Sequence, residues 1–153
     1  MPIARADITI AAPIDTVWAV MLDAGSYPQW NPFVIRLDLL GGHPPSVGDR
    51  IRIYVEWANG GRTRTTERIT AIEPPAGGAA LLEYAFGGPL AAIGMVRGRR
   101  QQRLTALDAG TTLYDTDETL TGWASRLAPI ARVQDGFERH AAALKERAES
   151  IAG

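Results

Sequence analysis

Cysteine is absent, and with it any disulfide, thiolate metal site or cysteine nucleophile. Histidine is scarce: His43 and His140 are the only two, and their separation leaves no ligand cluster for a metal. Neither sign of charge dominates. Lys and Arg number 16 against 17 Asp and Glu, giving a net charge of -1 with the signs mixed along the chain. The basic face that displaces counterions from nucleic acid is therefore not expected. Between Met1 and Pro13 no basic stretch precedes an apolar run, and no segment approaches the ~20 apolar residues of a membrane span. These absences predict a cytoplasmic soluble protein with no metal, no nucleic-acid partner and no membrane span. At 153 residues the chain fits a single domain over 1–153, able to bury roughly two thirds of its unfolded surface.

What is present is mostly β pattern. Residues 3–11 alternate as a strand, with Ile8 and Ile10 on one side. Pro13 suits the first position of a short helix, along which Ile14, Val17, Trp18 and Met21 share a face, and Gly25 is placed to end it. Pro28 and Pro32 break any continuation, so 27–32 reads as a turn or one helical turn that sets Trp30 at the start of the next strand. Strand patterns follow at 33–40, 51–57, 62–73, 82–86, 95–107 and 111–121. They are separated by turn signals at 41–45, 59–61, 74–78, 87–89 and 108–110. With no helix of useful length between them, neighbours should pair antiparallel. A helix over roughly 128–150 closes the chain. Ile130, Val133, Phe137, Ala141, Leu144 and Ala148 make its narrow apolar stripe, and Asp135 can pair with Arg139 on its polar side. The sheet is the one large apolar surface on which that stripe can be buried.

Four stretches carry a resemblance: Ile10-Ala11-Ala12-Pro13 with Val17-Trp18; Tyr27-Pro28-Gln29-Trp30-Asn31-Pro32; Gly110-Thr111 with Glu118 and Gly122; and Phe137 with Leu144-Lys145. In this order and spacing the chain resembles the START-like, polyketide-cyclase-type domains of the SRPBCC superfamily over nearly its whole length. The resemblance implies an α+β helix-grip fold in β-α-α-β6-α order. In that fold a curved seven-stranded antiparallel sheet wraps around the long C-terminal helix, with a ligand cavity between them. It implies no cofactor. Since one fold hosts carriers, cyclases and dehydratases, function must be argued from the site.

Strand parity indicates what lines such a cavity. Ile53, Val55 and Trp57 share the apolar face of one strand, and Leu82, Tyr84 and Phe86 that of another. In 95–107 the even positions, among them Arg100, Gln102 and Leu104, should point inward, and the odd arginines Arg97, Arg99 and Arg103 outward. An inward guanidinium needs a partner. A tight turn at 108–110 sets Asp117 opposite Arg100, whereas a one-residue bulge substitutes Glu118, and the bulge would reconcile the opposite parities of Leu113 and Leu120. Phe137 and Ala141 complete the wall from the helix. His140 sits at the edge of the stripe, either a boundary residue satisfied by water or a proton shuttle. Trp30 is a gate or plain packing, and the apolar loop 87–94 is a lid or a cap on the core. Two functions compete. One is the binding of a small hydrophobic molecule, with Arg100, Gln102 and Tyr84 as orienting groups. The other is a cofactor-free cyclase or dehydratase working by acid–base chemistry in the same cavity. The protein is expected to act as a monomer or a homodimer.

Overall fold

The computed structural model describes residues 2–86 and 89–153, with backbone alone at 89 and 90. Its elements are β1 (Ile3–Ile10), α1 (Ile14–Leu22), α2 (Tyr27–Trp30), β2 (Val34–Leu39), β3 (Arg50–Glu56), β4 (Arg62–Ala76), β5 (Ala79–Phe86), α3 (Pro89–Ala92), β6 (Arg97–Asp108), β7 (Thr111–Thr121) and α4 (Ile130–Ala152). The seven strands form one antiparallel sheet in the order β1-β7-β6-β5-β4-β3-β2. Consecutive strands from β2 to β7 are hairpin neighbours. The exception is β1, which lies on β7 at the far edge, so α1 and α2 carry the chain from one edge of the sheet to the other. This is the helix-grip architecture. No described helix is long and apolar enough to cross a membrane.

Local chemistry explains where the element ends fall. Pro13 caps α1 from just outside it, with extended backbone angles, and does not take the first helical position: its carbonyl oxygen accepts from the N–H groups of Thr16 and Val17 at 3.0 and 3.1 Å. α1 stops at Leu22, before Gly25, where a tighter turn at Ala24–Ser26 takes over. α2 is the single turn expected, and Trp30 ends it instead of opening β2. At the start of β2, Asn31 Oδ1 accepts from the N–H groups of Phe33 and Val34 at 3.0 and 2.9 Å. β4 runs through Pro74 and Pro75, where a turn was expected. Its pairing with β5 is irregular there, which spares the missing N–H groups. The turn proper falls to Gly77 and Gly78, both at positive φ.

α4 packs along β1 and across the concave face of the sheet. Its buried face is wider than the stripe of the sequence reading, holding Gly136, Phe137, His140, Ala141, Leu144 and Ala148. Gly136 is there for space, since a Cβ would collide with the Phe33 ring. Phe33 and Phe137 then meet edge to face, 6.1 Å between centroids. On the opposite side Asp135 and Arg139 pair at 2.9 Å as expected, and Arg139 also donates to the carbonyl oxygens of Pro32 and Glu56. Phe137→Ala should therefore cost about 3–5 kcal/mol in urea melts. A loss below about 1 kcal/mol would mean that Phe137 does not anchor helix to sheet.

Candidate functional site

The cavity on the concave face collects inward residues of six strands, β2 to β7. Register decides which acid meets Arg100: Glu118 is its partner across β6 and β7, while Asp117 lies opposite Gln101. The cause is a bulge between Ala106 and Asp108, beside the turn. Asp117 is therefore not a cavity residue. It sits on the outer face, where Arg103 clasps both it and Asp115. Leu113 shares that outer face, so its burial was not the reason for the bulge.

Arg100 is 4% exposed, and among the described residues no carboxylate pairs with it within 4.0 Å. Its partners are neutral. Nε donates to Thr116 Oγ1 at 3.1 Å, and the two terminal nitrogens to the hydroxyls of Tyr84 at 3.2 Å and Tyr114 at 3.4 Å. The guanidinium lies over the Phe137 ring, 4.1 Å from its centroid. Three of the five N–H donors of an arginine are thus used, and two remain. Burial opposes the charge but is outweighed by the oxygens of Tyr84, Tyr114 and Glu118, so the guanidinium stays ionised.

The tyrosines form a short relay. Burial raises both phenol pKa values, so both hydroxyls keep their protons at neutral pH. Tyr114 donates to Gln102 Oε1 at 2.8 Å, and Gln102 Nε2 donates to the Tyr84 hydroxyl at 3.2 Å. The Tyr84 oxygen therefore accepts twice, while its own proton has no acceptor among the described residues. That proton and the two spare N–H groups of Arg100 are donors available to a guest.

These donors face a cavity of about 120 Å³ between sheet and helix, walled by Phe33, Val34, Ile53, Val55, Trp57, Thr63, Thr65, Glu67, Tyr84, Phe86, Arg100, Glu118, Val133 and Phe137. Tyr84 also borders a smaller chamber of about 30 Å³ shared with Leu82, Gln102 and residues of α1 and β2. Of the residues singled out from the sequence, Ile53, Val55, Trp57, Tyr84, Phe86, Arg100, Glu118 and Phe137 meet at the larger chamber. Leu82 and Gln102 meet at the smaller. Leu104 and Ala141 are buried core residues that reach neither. Trp30 packs against Tyr27 and His140 and donates to Ser26 Oγ, so it is packing rather than a gate. A larger depression, about 670 Å³, lies on the outer face beside Arg97, Arg99 and Asp117, where no buried polar group converges. The expected lid at 87–94 lies partly outside the described residues.

His140 departs most from its reading as a boundary residue, being 1% exposed and stacked on Tyr114. Burial, with Arg100 nearby, holds its pKa well below the usual histidine value, so the ring is neutral. Asn31 uses its oxygen on the backbone, so its amide donates to His140 Nδ1 at 3.2 Å and the ring proton sits on Nε2. Nε2 itself finds no partner among the described residues.

Two carboxyls complete the site. Glu67, missed in the sequence, is 8% exposed, and burial, with repulsion from Glu118, pushes its pKa up to about 8. Glu118 is also raised by burial, with Arg100 opposing. Neither carboxyl hydrogen-bonds to a described residue. Gly98 makes room for Glu118, since a Cβ there would lie 2.7 Å from the carboxylate oxygen. Parity offered a signal for Glu67, which shares the inward set of β4 with Thr65 and Ile69 and pairs with Ile51.

A family model described as polyketide cyclase / dehydrase and lipid transport matches residues 1–149. No curated protein matches the sequence. Among solved structures, the Zhui aromatase/cyclase from Streptomyces sp. R1128 superposes with a TM-score of 0.78 at 19% identity, covering 99% of this chain and 95% of that one. The di-domain ARO/CYC BexL from the BE-7585A biosynthetic pathway gives 0.72 at 21% identity, over 99% of this chain and 47% of that one. A START superfamily protein from Mycobacterium smegmatis gives 0.72 at 20%, over 97% and 98%. These likenesses establish the fold.

The raised pKa of Glu67 has a thermodynamic signature. A carboxyl that binds its proton more tightly when folded stabilises the protein below its unfolded pKa, near 4.5, and that stability is lost as pH climbs through about 8. Wild-type stability should therefore fall across this window by at least ~2 kcal/mol relative to Glu67→Gln. Urea melts of both proteins across this window check it, and profiles that keep a constant separation would contradict a raised Glu67 pKa.

Proposed function

The chain belongs to the polyketide cyclase / dehydrase and lipid transport family, whose description covers ligand-binding and cyclase roles, and we propose that this member binds a small aromatic or polyketide-type molecule through an anionic or enolisable oxygen. The observation that carries this reading is the Arg100 guanidinium, buried beside a cavity with neutral partners alone and with N–H groups to spare. A chamber of about 120 Å³ compares with the ~150 Å³ apolar cavity that takes up benzene. One ring therefore reaches the guanidinium, with any remainder lying towards Trp57, Phe86 and Val133. The apolar walls supply most of the affinity, and Arg100 with the Tyr84 hydroxyl sets the orientation.

A second reading, cyclisation or dehydration of a keto chain, is favoured by the raised pKa of Glu67. Protonated at neutral pH, Glu67 is a general acid for a carbonyl oxygen. Arg100 and Tyr84 polarise the neighbouring carbonyl, and the carboxylate of Glu118 takes the α-proton as the carbon–carbon bond forms. On this reading Glu67→Gln removes product formation from a poly-β-keto substrate at pH 7 while leaving ligand affinity in place.

Calorimetry with 1-naphthoate and the neutral 1-acetonaphthone tests the anchor. The wild type should prefer the acid, and Arg100→Met should erase the preference, losing about 1.5–3 kcal/mol for naphthoate. The variant should stay folded, since removing a buried unpaired charge offsets the loss of a donor to the Thr116 and Tyr114 hydroxyls, while Tyr84 keeps that of Gln102 Nε2. Equal affinity for the two compounds, or naphthoate binding unchanged in a folded variant, would falsify the proposal.

A further inference from the structure

Three large apolar side chains stand in solvent at one end of the molecule: Ile93, 65% exposed, Trp123, 73%, and Leu127, 83%. They belong to two segments that the backbone ties together, with Trp123 N–H donating to Gly94 O at 3.3 Å and Ala124 N–H to Met95 O at 2.8 Å. Gly122, at φ +102°, permits that approach, since any Cβ there would meet the same two carbonyls at 2.6 Å. Other large apolar residues are exposed singly, such as Val47, Leu107 and Ile151, whereas these three are brought together by paired backbone segments and include a tryptophan.

The charge around the patch has one sign. Residues 91–97 and 122–133 contain no acidic residue, and their charged groups are Arg97, Arg126 and Arg132. None of the three forms an ion pair among the described residues. In a chain of net charge -1 this is local segregation: the apolar tips share their segments with guanidinium groups that pair with no carboxylate among the described residues, Arg97 donating to Ala91 O and Arg132 lying over the Trp57 ring. It matches an anionic bilayer surface, in which Trp and Leu enter the headgroup boundary and Arg meets lipid phosphate. The patch also adjoins the cavity wall, since Val133, at the end of the second segment, lines the chamber, and Arg132 lies over the ring of Trp57, another wall residue.

We propose that this end docks on anionic phospholipid membranes, which brings the adjoining cavity wall to the bilayer surface. The docking does not rest on the binding reading above.

Flotation of the ligand-free protein with vesicles of phosphatidylcholine, with and without phosphatidylglycerol, tests the docking separately from any Arg100-dependent ligand. The wild type should float with the anionic vesicles and its tryptophan emission should shift to the blue. The double variant W123A/L127A, altered only at exposed positions, should keep its circular dichroism and lose partitioning by about tenfold or more. R126A should bind about fivefold more weakly to the anionic vesicles. Three results would overturn the proposal: no flotation of the wild type, flotation unchanged in W123A/L127A, or self-association abolished by W123A/L127A without vesicle binding, which would make the patch a contact between two copies.

Discussion

A guanidinium taken out of water and given no carboxylate costs several kcal/mol, and neutral hydrogen bonds recover only part of that. Arg100 is held in this state by Thr116, Tyr84, Tyr114 and the face of Phe137. Its charge then orders what surrounds it. It opposes protonation of His140, it tempers the rise in the Glu118 pKa, and it polarises the phenols whose relay ends on the unclaimed proton of Tyr84. A stability-driven core would place Met or Leu at this position. A cation kept there at a cost is better explained by a guest that completes its coordination.

The fold supports that arrangement at two places where a side chain is withheld. Gly136 lets Phe33 close against the helix, which brings Phe137 under the guanidinium. Gly98, inward on β6, leaves the volume that the Glu118 carboxylate enters. Asn31 joins the two halves of the scaffold, capping the start of β2 with its oxygen and fixing the His140 tautomer with its amide. The polar groups of the site are thus carried by strands and the long helix, elements rigid enough to keep hydrogen-bond geometry between one guest and the next.

Much of this was legible in the sequence because period-two alternation is a strong signal where apolar and polar residues contrast. β6 shows it: Arg100 and Gln102 share parity with Leu104, and all three are buried. The choice between Asp117 and Glu118 needed the bulge, which parity alone located only as an alternative. Glu67 was obscured because β4 alternates Thr, Glu and Arg with no apolar contrast until Ile69. His140 was misplaced because a stripe drawn through large apolar residues omits Gly136, whose missing side chain widens the buried face of α4. Pro74 and Pro75 imitate a turn that the irregular end of β4 absorbs. Contacts that depend on tertiary approach, such as Asn31 with His140, leave no mark on local pattern.

The central claim is that Arg100 is a buried cation whose spare donors receive a ligand oxygen. Its Nε–H, enclosed and bonded to Thr116, should give a slowly exchanging arginine side-chain resonance in a nitrogen-labelled sample, distinct from those of exposed arginines. Adding 1-naphthoate should move that resonance together with the amides of the cavity wall, with no movement for Arg103 on the outer face. A wall that responds to the ligand while the Arg100 resonance stays in place would contradict the account.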